Sequence, residues 1–210
     1  MFTLDKLNAA TDSFKRYVEP QLYNSNMFDP NNSYVIVCEG DSDDLKTQLD
    51  RYAGIDMVTI DNQSQTVQGI ASRVQTGMCY RTFTIRAITD NGSIDTELKK
   101  RSLAIRNGDM YPTWTIQAYI CNNALDDTKV DCTVGVVRTI DLFNYILDQI
   151  TKVEGIHHTA DLVDLLRHRF NIGSIGVRNN PYGAVFLTCN WDLLIASGVD
   201  VRILQATFDK

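Results

Sequence analysis

The chain has 210 residues, 44% of them hydrophobic, with 26 acidic and 20 basic side chains for a net charge of -6. That length and apolar content exclude a disordered polymer and are enough for one substantial domain. The net charge excludes a uniformly basic surface for coating nucleic acid. No apolar run approaches the ~20 residues that span a bilayer. The start, MFTLDKLNAATDSFKRY, lacks the basic and apolar regions of a signal peptide, so a cytoplasmic protein without membrane contact is expected. Cys38, Cys79, Cys121, Cys132 and Cys189 are odd in number and never spaced as C-x-x-C. Reduced thiols are therefore expected rather than disulfides or a zinc site.

In chain order, Leu4, Leu7, Phe14 and Val18 recur at helical spacing, which predicts a helix over 3–18 that stops at Pro20. A turn-rich stretch, 24–33, leads to the apolar strand 34–38. Residues 41–54 form a helix with an acidic first turn, closed by Gly54. Three strands are expected at 57–60, 66–75 and 80–88, and in the last Phe83 and Ile85 share a face. Residues 95–108 open on a cap and close on Gly108, as a helix does. Strands at 113–121 and 131–139 flank a polar loop, and helices follow at 140–150 and 160–170. Residues 172–183 are a glycine-rich loop without G-x-G-x-x-G or a Walker lysine. A strand at 183–189, a short helix at 191–198 and a strand at 199–204 end the chain. This alternation predicts a single α/β domain, 1–210, around one mixed sheet flanked by helices.

Charge is uneven along that order. Residues 1–65 hold 5 basic and 11 acidic side chains, 66–110 hold 7 and 4, and 111–210 hold 8 and 11. The net-basic block contains Arg81, Arg86, Lys99, Lys100, Arg101 and Arg106, candidates for phosphate contact if they share a face. Solubility is the plain alternative for such a run. His157, His158 and His168 show no metalloprotease spacing, and no G-x-S-x-G is present.

One short motif stands out. Gly54-Ile55-Asp56 precedes a strand, and after a turn the next strand carries Gly69-Ile70-Ala71-Ser72-Arg73. This pattern, within a helix, three strands, helix, strand order, resembles the core of the PD-(D/E)XK (restriction-endonuclease-like) nuclease superfamily. The resemblance implies an αβββαβ core at 43–150 with a helical and β extension at 151–210. It implies a Mg²⁺-dependent endonuclease of DNA in which Asp56 is a metal ligand and Arg73 stands where the family's lysine stabilises charge on the phosphate. It also implies that Gln75 and Glu97 help, Glu97 as a carboxylate migrated to the following helix. Ala71 departs from the family pattern because it supplies no ligand where a carboxylate or amide is expected. Gln68 reaches that face only if Gly69 makes a bulge. Two other readings stay open. A nuclease-like frame with an eroded site can bind nucleic acid, or act as a protein-interaction module facing a protein partner or a second copy of the chain. The stretch YVIVCEGDSDD, with Glu39 and Gly40, also resembles the opening of a Toprim domain, but no Asp-x-Asp follows.

Overall fold

The structure is a computed structural model, and it describes residues 11–27, 33–37, 49, 54–61, 66–153 and 159–210. The helix predicted over 41–54 and the Glu39-Gly40 stretch fall largely or wholly outside these residues.

The first helical segment does not end at Pro20. A π-helical turn, Phe14–Val18, runs directly into α1, Glu19–Asn24, with Pro20 in its first turn. A proline lacks the N–H that an α-helix needs four residues on. The wider turn absorbs this: the Glu19 amide already reaches back five residues to the Phe14 carbonyl, so the chain passes the proline while staying helical. Phe14, Val18 and Leu22 are buried against the sheet beneath.

Ten strands follow: β1 Ser33–Val37, β2 Met57–Asp61, β3 Thr66–Thr76, β4 Thr82–Ile88, β5 Trp114–Asn122, β6 Lys129–Arg138, β7 Asn171–Ile172, β8 Ile175–Asn179, β9 Val185–Asn190 and β10 Val201–Asp209. The helices between them are α2 Glu97–Asn107, α3 Thr139–Thr151, α4 Thr159–His168 and α5 Trp191–Ala196. The mixed α/β class is as expected, but the strands divide into two sheets. The larger runs β1-β2-β3-β5-β6-β10, mixed because β3 and β5 are parallel. The smaller runs β4-β9-β8-β7 and is antiparallel.

The division follows from burial on alternate residues. In β5, Ile116, Ala118 and Ile120 face α1 with Ile70 and Val134, whereas Tyr119 joins the second core beneath β4 and α3. A strand buried on both faces sits in the middle of a stack, not in a simple two-layer unit. β4 places Phe83, Ile85 and Ala87 in that second core, and a bulge between Arg86 and Ile88 turns Ile88 inward as well. It pairs with β9 rather than continuing the β2–β3 meander.

One expectation is corrected here. The segment 172–183 contains β8, because Ile175 and Val177 are buried beside β9 and Gly173, at φ 57°, makes the tight turn from β7. β10 returns to β6, and β4 pairs with β9, so strands from 43–150 and from 151–210 share both sheets.

Trp191 joins the layers. It is fully buried, with its ring 5.7 Å from Phe83 of β4 and 5.8 Å from Tyr119 of β5. Its indole lies against Gly135 of β6, where any Cβ would overlap the ring. Gly135→Ala should therefore destabilise the fold by roughly 3 kcal/mol, the range for forced overpacking and backbone displacement. Urea unfolding checks this, and adding Trp191→Leu to the same variant should recover part of the loss.

Candidate functional site

β3 changes neighbours halfway along its length. From Thr66 to Ile70 it pairs with β2, and from Ile70 to Thr76 it pairs with β5. β2 stops at Met57, opposite Ile70, so the next amide on that side of β3 has no strand to meet. That amide belongs to Ser72, and the Asp56 carboxylate takes it: Ser72 N–H donates to Oδ2 at 2.6 Å. Buried backbone donors must find an acceptor, so Asp56 closes the ladder where the strands part.

Past the fork, alternation sends Arg73 and Gln75 to the face opposite Ile70, beside Gln117, which is opposite Arg73 in the register. Arg73 Nη1 donates to the Thr84 carbonyl of β4 at 2.7 Å, and Nη2 donates to Glu97 Oε2 at 3.3 Å. Glu97 opens α2. Its Oε2 also accepts from the Arg86 amide at 3.1 Å, and its Oε1 accepts from Arg101, one helical turn on. Arg101 is only 7% exposed and reaches across to the Gly54 carbonyl, 3.2 Å from Nη2. Gly54 is required for two reasons. Its φ is 66°, and a Cβ there would press to 3.3 Å from the same Nη2.

These groups enclose a cavity of about 350 Å³ lined by Asp56, Arg73, Arg86, Glu97, Lys100 and Arg101 among others, with Gln117 in its wall. Burial alone would raise the Glu97 carboxyl, but Arg101 and Arg73, helped by the Arg86 amide and charge, outweigh it and hold the group below its ordinary 4.5.

The structure brings together Asp56, Arg73, Glu97, Arg86, Lys100 and Arg101 from the sequence candidates, around one cavity. It separates others. Gln75 stands beside the cavity and accepts from Gln117 Nε2 at 3.3 Å. Lys99 lines a separate apolar cavity, with Asp95 3.9 Å from its ammonium. Arg81 is ion-paired with Asp192 at 2.9 Å, away from this wall. Arg101, expected as a surface phosphate contact, is instead buried among its partners. Gln68 keeps its place in an unbulged register and accepts from Trp114 Nε1 at 2.7 Å, so it does not reach the site. Gly69 serves close packing: a Cβ there would meet Ile55 Cδ1 at 2.8 Å. The sequence reading missed the Ser72 amide and the Thr84 carbonyl, which carry no side-chain signal. It also missed the Glu97–Arg101 pairing, although the i, i+4 spacing was visible.

The donor set does not suit a hydrated Mg²⁺. Both Glu97 oxygens are engaged by cations and an amide, Asp56 Oδ2 closes the β3 ladder, and Ala71 adds no oxygen. Among the described residues no group of three or more His, Cys, Asp or Glu side chains gathers as a metal centre demands. Burial pushes the Cys132 and Cys189 thiols each up to about 12, which keeps these two protonated near neutral pH. Among the described residues no helix is long and apolar enough to cross a membrane. No family model matches the chain, and none of the curated proteins or solved structures matches it.

The depressed Glu97 carboxyl makes an acid-stability prediction. A carboxyl held low in the folded state stabilises the fold fully above its unfolded value, near pH 4.5, and loses that contribution as pH falls through the lower folded value. Urea unfolding from pH 7 to 2 should show Glu97→Gln less stable than the wild type at neutral pH. The gap between the two should narrow below about pH 4.

Proposed function

We propose that the protein is a nucleic-acid-binding module built on a nuclease-like frame, one that holds phosphate with arginines and does not cleave through a metal. A single observation carries this reading: the fork that would seat a metal is wired for anions. Arg73, Arg86, Lys100 and Arg101 line one cavity with Asp56, Ala71 adds no second carboxylate there, and Glu97 serves to orient two of these guanidiniums. A guanidinium already fixed by a carbonyl or carboxylate loses little freedom on meeting a phosphate, and its remaining N–H groups are strong donors to phosphate oxygens.

The second reading is the Mg²⁺-dependent endonuclease. What supports it is that Asp56 and Arg73 line the same cavity. On that reading a metal held by Asp56 would activate water toward a phosphodiester.

Binding and cleavage separate the two. In chelator the wild type should bind DNA oligonucleotides, and Arg73→Ala should weaken that binding about tenfold, as the loss of one charge-assisted phosphate contact would. Fluorescence anisotropy reads this outcome. With Mg²⁺ or Mn²⁺ added, plasmid and linear DNA should stay intact. Metal-dependent cleavage abolished by Asp56→Ala would instead establish the nuclease. Absence of DNA binding under all conditions would leave the protein-interaction alternative standing.

A further inference from the structure

The cavity gathers four cationic and three carboxylate side chains in its lining. Resting on the nucleic-acid reading above, we infer that the site takes one terminal phosphate monoester, entering end-on, and does not track a continuous sugar–phosphate backbone.

Three features point this way. The first is convergence. Cations that follow a backbone lie along a groove, spaced to meet successive phosphates. Here they come from three elements, Arg73 from β3, Arg86 from β4, and Lys100 and Arg101 from α2, to line one cavity of about 350 Å³. That space holds a nucleotide-sized group, at the small end of ligand sites.

The second is an unused donor. Arg101 is more than nine-tenths buried, Nη1 and Nη2 are engaged, and Nε is buried without a partner among the described residues. Leaving a charged N–H unpaired in the interior costs about 1–3 kcal/mol unless a ligand answers it. Arg101 lines the cavity, so its charge, incompletely answered by its own partners, draws an anion there. The cavity wall also includes the start of α2, where Thr96 turns its hydroxyl to the Ala87 carbonyl and does not cap the helix with it. The helix dipole adds to the attraction for an anion.

The third is the carboxylates. Asp56, Asp95 and Glu97 line the same wall, and the whole chain carries -6. A through-running strand would draw flanking phosphates past these groups, and each approach of like charge is unfavourable. A strand end, or a free mononucleotide, brings only the phosphate that the guanidiniums receive. A monoester also carries more charge than a diester, about -1.5 to -2 near neutrality, and offers three terminal oxygens to a set of converging donors. Gln117, hydrogen-bonded to Gln75, adds an uncharged amide to the lining beside these charges.

The test uses the full chain and single-stranded DNA labelled at the 3′ end, with the 5′ end either phosphorylated or hydroxylated. Affinity is measured by anisotropy across a salt series. The phosphorylated strand should bind about tenfold or more tightly, with a salt slope near -0.7, the value for one neutralised phosphate on a single strand. A deoxynucleoside 5′-monophosphate should compete and the nucleoside should not. If the monophosphate binds by calorimetry while no strand does, the source is the free nucleotide, and the inference stands without the nucleic-acid reading. Lys100→Ala should reduce the preference for the phosphorylated end and leave the unfolding midpoint unchanged, which keeps the test clear of folding defects at Arg101. Equal affinity for both ends with a slope several times steeper would overturn the inference and keep the nucleic-acid reading. Failure of inorganic phosphate, the monophosphate and both strands to bind would overturn both.

Discussion

The whole arrangement depends on how closely Trp191 is allowed to approach β6. Its indole rests on the bare backbone of Gly135, and Phe83 and Tyr119 flank it from the two sheets. Interiors pack at crystal-like density, so this contact sets the spacing of the layers as a fixed dimension rather than an average. The cavity is a product of that spacing. Its floor is the β3–β5 face bearing Arg73 and Gln117, and its far wall is β4 with the start of α2. Tyr119 holds the same gap from the polar side, donating its hydroxyl to the Thr82 carbonyl at 2.8 Å.

Within that gap the electrostatics are balanced around one carboxylate. Glu97 would be expensive to bury alone, and two buried or half-buried guanidiniums without it would repel each other and lose their orientation. The cluster is tied at its edges to backbone carbonyls, Thr84 for Arg73 and Gly54 for Arg101, so the charges are fixed by the fold itself. Such a network is well suited to receive an anion with little rearrangement, since the donors are ordered before the ligand arrives.

Much of the element order was legible in the residues. Phe83 and Ile85 alternate in β4, Leu142, Phe143 and Ile146 mark the buried side of α3, and Gly108 stops α2 in the left-handed conformation at φ 73°. What was not legible is how strands combine. Periodicity shows which face of β4 is buried but not that β9 lies beside it, because pairing is set by contacts some hundred residues apart. Pro20 misled because a local rule was met by a local exception, the π-helical turn before it. At the site, Gly54-Ile55-Asp56 leads into β2 where β3 changes neighbours, and Asp56 and Arg73 line the same cavity. The role of Asp56 at the end of the β2–β3 ladder involves a backbone amide, and side-chain patterns are silent about backbone amides. The buried state of Arg101 was hidden among neighbours, Lys99 and Lys100, that look alike in sequence and diverge by a third of a helical turn each.

The strand order also has a consequence for biosynthesis. β4, which forms one wall of the cavity, finds its sheet neighbour only when β9 has been made, and β6 gains its outer neighbour only with β10. Trp191, which presses the layers together, lies twenty residues from the end of the chain. The contacts around Glu97 are made within residues 54–101, but the sheet that carries β4 awaits β9, and long-range pairings of this kind are slow to form. The wall that β4 gives the cavity is thus fixed by a strand made some hundred residues later, so the shape of the cavity is set late in synthesis although its charged residues are made early.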